Sequence, residues 1–182
     1  RYATRASAFV TLREEIQNIV SYMEIVRIRY GDEIGVRYFL REDTLVCAIP
    51  KMILQPVVEN AIAYGMRAGR RRGTIEIRSW TDGGDLYLTV RDDGVGMDAQ
   101  ALCRLRENLR STDRQTAESG ERIGLRNIQR RLRLLYGEAY GLSVASEEGR
   151  GTELTLRLRK SADDVLNDFA RVGGENVYSN PD

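Results

Sequence analysis

The sequence predicts an α+β fold, a two-layer sandwich in which helices cover one face of a mixed, mostly antiparallel sheet. Stretches with helical periodicity alternate with short β-rich stretches along the chain. Two pairs of β-rich stretches are also joined by glycine-containing turns typical of hairpins, at Asp82–Asp85 and Glu147–Gly151. The 182 residues fit one domain, and an apolar fraction of 42% is sufficient for a single core.

The first half of the chain predicts two helices and two strands. Thr11 and Glu14 have capping-box spacing at the start of the first helix, and Gly31 ends it. Pro50 suits the first turn of the second helix. The predicted elements are a helix to Tyr30, strands at Gly35–Arg41 and Thr44–Ile49, and a helix from Pro50 to Ala63.

The second half predicts two hairpins and two further helices. Between the two helices, Arg110–Arg122 is polar and has no apolar period, so it is predicted to be a mobile loop. The tail from Lys160 has apolar residues at helical spacing among charged ones, which leaves a docked helix and a frayed end equally open. The predicted elements are strands Thr74–Asp82 and Leu86–Asp92, helices Asp98–Leu109 and Ile123–Tyr136, and strands Leu142–Ser146 and Thr152–Leu158.

Composition excludes several classes of function. The formal charge is +1, from 28 basic and 27 acidic residues, which gives no electrostatic reason to expect nucleic acid or a membrane surface as a partner. The chain has no histidine, so His-based zinc sites and Ser-His-Asp triads are excluded. Cys47 and Cys103 read as small core residues in a reducing compartment. Since no apolar run approaches the length of a membrane span, we expect a cytoplasmic location.

Two segments combine polar residues with positions that suit a binding site. Glu59 and Asn60 lie off the apolar face of the second helix, although an amphipathic helix with polar residues in water explains this too. The segment Asp92-Asp93-Gly94-Val95-Gly96 follows a strand directly, and its glycines permit a close approach of the backbone. A carboxylate at a strand end can accept a hydrogen bond from an exocyclic amine, but a plain turn is an equal alternative.

Two further segments contain glycine next to regular structure. Gly120 to Asn127 leads from the predicted loop into a helix, whose free N–H groups would suit an anion. An ordinary helix start fits this segment as well. Gly149-Arg150-Gly151-Thr152 is a hairpin turn, for which a structural role is the simpler interpretation.

Taken in order, these four segments resemble the N, G1, G2 and G3 boxes of one ATPase superfamily. This superfamily, known as GHKL, holds DNA gyrase, the heat-shock chaperone, mismatch-repair MutL and the histidine kinases. The resemblance extends from about Val10 to Arg159, and four ordered motifs with suitable elements between them are highly specific. It implies the Bergerat version of the α+β sandwich, with ATP and Mg²⁺ as cofactors.

The resemblance also implies a role for each motif residue. Asp92 would accept the adenine amino group, and Thr152 would support it directly or through water. Asn60 would coordinate Mg²⁺, with Glu59 beside it as a second ligand or a proton acceptor, so these two form the implied catalytic pair. The other implied nucleotide contacts are Gly94 and Gly96, which let the backbone pass close to ATP, and Gly120, Arg122, Gly124 and Leu125, at the end of a lid and the helix start facing the phosphates.

The lid would run from about Met97 to Arg122, and its polar composition predicts poor order without nucleotide. Hydrolysing members of the superfamily and anti-sigma-factor serine kinases usually carry a carboxylate four residues before the magnesium asparagine. Pro56 occupies that position here and cannot act as a base. Histidine kinases can omit the base because neutral imidazole is already nucleophilic.

Longer matches indicate the LytS/YehU-type sensor histidine kinases. The segments Leu54-Gln55-Pro56-Val57-Val58-Glu59-Asn60-Ala61-Ile62 and Gly124-Leu125-Arg126-Asn127 resemble boxes of that subfamily. Three features depart from its pattern. The histidine-bearing box is absent, Tyr64 stands where the family often has histidine, and Arg122 replaces the middle glycine of G2. Arg122 could contact a phosphate or stiffen the lid.

The resemblance therefore implies the catalytic domain of a sensor histidine kinase that acts on a histidine outside this chain. Its implied partners are histidine-bearing dimerisation helices of the same protein, a LytTR-type response regulator and a second copy in a homodimer. The domain boundaries predicted are 1–31 for a connecting helix, 32–160 for the ATP-binding domain and 161–182 for a tail. The alternatives are a nucleotide-binding regulatory module without phosphotransfer, or another ATPase of the superfamily.

Overall fold

The computed structural model describes residues 8–65, 72–111 and 120–160. In these residues, three helices pack against a five-stranded sheet, and a fourth packs on one of them and on a separate two-stranded ribbon. The helices are α1 (Leu12–Tyr30), α2 (Gln55–Gly65), α3 (Ala99–Arg110) and α4 (Gly120–Tyr136). The strands are β1 (Phe9–Thr11), β2 (Ile34–Leu40), β3 (Ala48–Pro50), β4 (Gly73–Asp82), β5 (Asp85–Asp92), β6 (Gly141–Glu147) and β7 (Gly151–Arg159).

The sheet has the strand order β2-β4-β5-β7-β6. Only the β2–β4 pair is parallel, and the other three pairs are antiparallel. The predicted α+β sandwich with a mixed, mostly antiparallel sheet is therefore confirmed. Strand β5 is the central strand of the sheet. The residues that follow it therefore lie at the ends of the strands, midway across the sheet.

One face of the sheet and the apolar stripes of the helices form a single core. In β5 the alternate residues Leu86, Leu88 and Val90 are buried, as the period of two requires. The opposite face carries aromatic and charged side chains, among them Trp80 stacked on Tyr87 with 5.3 Å between ring centroids. The other core side chains from the helices include Leu12, Ile19, Val26, Val57, Val58, Ile62, Leu105, Leu109, Ile128 and Leu132.

The capping box predicted at the start of α1 is present. The backbone N–H of Glu14 donates to the Thr11 hydroxyl at 3.2 Å, and the Glu14 carboxylate accepts from the Thr11 N–H at 2.8 Å. Gly31 ends the helix with a φ of +73°. The two predicted hairpins and the strand from Gly35 also form, and each end of these strands lies within one residue of its predicted position.

Two predictions before α2 are wrong. The predicted strand Thr44–Ile49 is mostly a turn, because the Thr44 N–H and hydroxyl both donate to the Arg41 carbonyl and close a 3-10 helix at Glu42–Thr44. Only Ala48–Pro50 is a strand, and it pairs with the unpredicted β1. Pro50 therefore ends a strand, and α2 begins five residues later, at Gln55.

The predicted loop Arg110–Arg122 is wrong at its far end, because Gly120–Arg122 already lie in α4. Residues 112–119 of that loop and the tail 161–182 lie outside the described residues. Within the described ranges, no helix is long and apolar enough to cross a membrane.

Candidate active site

A cavity of about 330 Å³ opens between the helical layer and the end of the central strands. Its walls come from α2, the segment after β5, the start of α3, α4 and the β6–β7 hairpin. The lining is apolar apart from a few side chains that converge on it, which is the usual composition of a small-molecule site. The lining residues are Asn60, Ala61, Asp92, Val95, Gly96, Met97, Asp98, Ala101, Leu105, Leu125, Glu148, Thr152 and Leu154.

Asp92 is the buried carboxylate of this cavity. It is the last residue of β5, and only 6% of its surface is exposed. Burial raises the pKa of Asp92, while hydrogen bonds from the backbone N–H groups of Gly94 and Thr152 act to lower it. The Gly94 N–H lies 2.9 Å from Oδ1. The carboxylate is therefore fixed in position and retains accepting capacity for a ligand with N–H groups.

Two glycines allow the segment after β5 to contact the β6–β7 hairpin. Gly96 has a φ of +65°, and a Cβ there would lie 1.9 Å from the Glu147 carbonyl oxygen. Gly151 has a φ of +86°, and its Cβ would lie 1.9 Å from the Asp92 carbonyl oxygen. The Gly149 N–H also donates to the Val95 carbonyl at 2.7 Å. These glycines thus close one wall of the cavity by backbone contact.

Ser146 joins the two sides of that wall and was not predicted. Its hydroxyl accepts from the Met97 N–H at 2.9 Å, contacts the Thr152 hydroxyl at 2.9 Å and donates to the Gly151 carbonyl at 2.9 Å. Because the Ser146 proton goes to Gly151, the Thr152 hydroxyl is the donor between the two side chains. Thr152 therefore offers lone pairs to the cavity. Ser146 and Thr152 are paired across the hairpin, but in the sequence alone Ser146 is an ordinary polar residue at a strand end.

Asn60 and Glu59 differ in their surroundings. Asn60 lines the cavity, and its Nδ2 donates to the Pro56 carbonyl at 2.8 Å. This bond leaves the amide oxygen as the atom for a ligand. Glu59 is exposed, and its carboxylate accepts from Gln55 Nε2 at 3.0 Å one turn earlier on α2. Glu59 is not among the residues that line the cavity.

The G2 segment lies inside α4. Leu125 is buried and lines the cavity. Gly124 is not at a helix start as predicted, since α4 already includes Gly120. A Cβ at Gly124 would lie 3.8 Å from Cβ of Pro56, so α4 passes α2 closely here. The side chain of Arg122 lies outside the described part of the structure.

Part of the predicted lid is regular, packed structure. Asp98 caps α3 by accepting from the Ala101 N–H at 2.7 Å. Leu105 and Leu109 of this helix are buried. Arg106 donates to the carbonyl of Val144 on the edge strand β6 at 2.9 and 3.2 Å. Met97–Arg110 therefore consists largely of a capped and packed helix, and the poor order expected of the lid without nucleotide stays a prediction.

The polar residues suit a nucleotide-bound magnesium ion better than a metal held by protein alone. Among the residues that the structure describes, no group of three or more Cys, Asp and Glu side chains could hold a metal ion. Mg²⁺ usually takes one or two protein oxygens and completes its shell with phosphates and water. The Asn60 amide oxygen fits that requirement.

Known proteins resemble this chain over most of its length. Residues 49–162 match the family described as histidine kinase-, DNA gyrase B- and HSP90-like ATPases. The sensor histidine kinase YesM of Bacillus subtilis is 34% identical over 149 residues, which are 82% of this chain and 24% of YesM. The sensor protein LytS of Staphylococcus haemolyticus is 32% identical over 139 residues, 76% of this chain and 23% of LytS.

A solved structure shares the fold. The histidine kinase domain of the blue-light activated kinase from Erythrobacter litoralis EL346 has a TM-score of 0.58 at 19% identity, over 87% of this chain and 66% of that one. The chain spans about a quarter of the length of the curated relatives YesM and LytS. The predicted resemblance to the LytS-type kinases is confirmed. On these matches, the chain belongs to the family of histidine kinase-, DNA gyrase B- and HSP90-like ATPases.

Proposed function

We propose that this chain is the ATP-binding catalytic module of a sensor histidine kinase and transfers the γ-phosphoryl group to a histidine outside the chain. The observation that carries the proposal is a buried, fixed carboxylate, Asp92, in a largely apolar cavity of about 330 Å³. A largely apolar cavity whose buried carboxylate is Asp92 suits a flat, amine-bearing base such as adenine.

The base would bind at the end of the cavity formed by the sheet. Asp92 would accept from the adenine amino group, and Thr152 would accept a second hydrogen bond directly or through a bridging water. Thr152 can accept because its hydroxyl proton goes to Ser146, and the Asp92 carboxylate has accepting capacity beyond its bond from the Gly94 N–H. Val95, Met97 and Leu154 supply apolar surface for the faces of the ring.

The phosphates would lie toward α2 and α4. The amide oxygen of Asn60 would hold the Mg²⁺ ion, because its amide nitrogen is bonded to Pro56. When bound, the ion neutralises charge on the phosphates. Glu59, on the exposed side of α2, would act as a second ligand or accept the proton that the histidine releases. Gly120, Arg122, Gly124 and Leu125 would border the phosphates from α4.

The reaction itself needs little from the chain beyond positioning. A neutral imidazole nitrogen attacks the γ-phosphorus, the bond to the bridging oxygen breaks, and ADP leaves. Because Pro56 occupies the place of a hydrolytic base, activation of water is poor. In this proposal the histidine lies on dimerisation helices of the same protein, which acts as a homodimer at the cytoplasmic side of a membrane. A LytTR-type response regulator receives the phosphoryl group.

The proposal is tested with radiolabelled ATP. The chain alone should show neither autophosphorylation nor appreciable turnover, whereas a separately supplied histidine-bearing dimerisation segment should become labelled. The matched control is the same segment with its histidine replaced by alanine. Rapid hydrolysis by the chain alone would favour a gyrase-like ATPase. Binding of ATP without labelling of the segment would favour the regulatory module instead.

A further inference from the structure

A short turn between β3 and α2, residues 51–54, is hydrogen-bonded to three other parts of the fold. The Glu15 carboxylate of α1 accepts from the backbone N–H groups of Met52, Ile53 and Leu54 at 3.1, 2.8 and 3.1 Å. Only 2% of the Glu15 surface is exposed. A carboxylate that accepts three N–H groups is a strong, directional anchor.

Arg131 of α4 also bonds to this turn. Its guanidinium donates to the Lys51 carbonyl at 2.6 Å and to the Ala8 carbonyl at 3.3 Å. The Lys51 N–H in turn donates to the Ala8 carbonyl at 3.0 Å. The turn is therefore bonded to α1 by Glu15, to α4 by Arg131, and to the segment before β1 by Ala8.

The backbone of the turn is shaped to make these bonds. Met52 has a φ of +55°, and among the described residues it is the one non-glycine with positive φ. A left-handed residue costs about 1 kcal/mol or more, so it persists where its surroundings fix it. Here the left-handed residue turns consecutive N–H groups toward one carboxylate. The arrangement lies at the start of α2, since Leu54 accepts the first bonds of that helix.

We propose that Glu15 and Arg131 are positioning residues that set the orientation of α2 and thereby hold Asn60 where the phosphate-bound Mg²⁺ ion needs it. Asn60 lies two turns along the helix from this anchor. The base end of the cavity depends instead on β5 and β7, through Asp92 and Thr152. Loss of the anchor should therefore weaken binding at the metal end and leave the base end unchanged. This inference rests on the proposed function, in particular on magnesium binding by Asn60.

Two substitutions test the proposal with closely matched controls. Glu15→Gln replaces one carboxylate oxygen, which accepts backbone N–H groups, with an NH₂ group that cannot accept them. The control Glu14→Gln makes the same change at the exposed neighbouring residue, where glutamine can still form the capping box. In Arg131→Lys one ammonium replaces a fork that reaches two carbonyls, and Arg130→Lys is its exposed control. Calorimetry measures the affinity for adenosine and, in a Mg²⁺ titration, the binding of a non-hydrolysable ATP analogue.

We expect Glu15→Gln and Arg131→Lys to raise the Mg²⁺ concentration for half-maximal analogue binding by roughly two- to thirtyfold, with adenosine affinity unchanged. The controls should match wild type. Equal Mg²⁺ dependence in Glu15→Gln and Glu14→Gln would overturn this inference but not the proposed function. An equal loss of affinity for adenosine and for the analogue, together with a lower Tm, would do the same. If Glu15→Gln does not fold, Arg131→Lys carries the same test. If the wild-type chain binds adenosine but Mg²⁺ does not increase its affinity for the analogue, both the proposed metal site and this inference are wrong.

Discussion

Gly96→Ala separates the role of this glycine in the cavity wall from the general cost of a left-handed residue. Gly96 has a φ of +65°, and its added Cβ would lie 1.9 Å from the Glu147 carbonyl oxygen and 2.8 Å from its carbonyl carbon. Both atoms belong to the backbone, so no side chain can rotate away. The segment after β5 must therefore move off the β6–β7 hairpin.

The expected cost follows from what that movement breaks. A left-handed alanine costs about 1–2 kcal/mol. Separation also weakens the bond from the Gly149 N–H to Val95 and the bond from the Met97 N–H to Ser146, at roughly 0.5–1.5 kcal/mol each. The sum is roughly 2–5 kcal/mol, which for a chain of this size lowers Tm by roughly 4–20 °C.

Gly83→Ala is the matched control, because Gly83 has a φ of +54° with nothing within 4 Å of its added Cβ. It should cost only the left-handed part, about 1–2 kcal/mol, and leave adenosine binding intact. Gly96→Ala should lose more stability and also bind adenosine weakly, since Val95 and Met97 line the cavity. Thermal unfolding and calorimetry measure both quantities. Equal losses in the two variants, with normal adenosine binding, would refute the backbone-contact argument.

Two further predictions concern Asp92 and Asn60. Burial raises the pKa of Asp92 in the folded state above that in the unfolded chain. A protonated Asp92 therefore favours the folded state, and this contribution to the free energy of unfolding is lost as pH rises through the folded-state pKa. Asp92→Asn should therefore raise the nucleotide-free Tm at pH 7, with the difference vanishing below about pH 4, where the unfolded carboxyl is also protonated. A variant that is less stable than wild type at pH 7 would contradict this. Asn60→Ala should remove the Mg²⁺ dependence of ATP-analogue binding and lower Tm by a few degrees at most, because the better helix propensity of alanine, up to about 0.7 kcal/mol, offsets part of the roughly 0.5–1.5 kcal/mol of one lost bond. A fall of many degrees in Tm would instead make Asn60 a structural residue.

Features that depend on neighbours in the sequence were predictable. The capping box of Thr11 and Glu14 uses residues three apart, and Asp92 could be assigned to a strand end from the run that precedes it. The apolar face of α2 also followed from helical spacing, and Val57 and Val58 are buried as predicted. In each case the deciding contacts lie within one element.

Features that depend on distant residues were not predictable. The start of α2 was misplaced at Pro50, because the turn before it is held by Glu15, which lies in a different helix. The contact of Arg106 with β6 and the bonds that Ser146 makes in the cavity wall also join distant parts of the chain. A single sequence shows these side chains only as ordinary polar residues, since their partners become neighbours when the sheet forms.

In the proposed site, Asp92 recognises the amino group of adenine. The most direct measurement is a four-way comparison by calorimetry, with ATP and purine riboside triphosphate, which lacks that amino group, on wild type and Asp92→Asn. A charge-assisted hydrogen bond contributes about 1.5–3 kcal/mol, so wild type should prefer ATP by roughly ten- to a hundredfold. Asp92→Asn should lose most of that preference by binding ATP more weakly. If both proteins prefer ATP by the same factor, Asp92 does not contact the amino group and this account of the site is wrong.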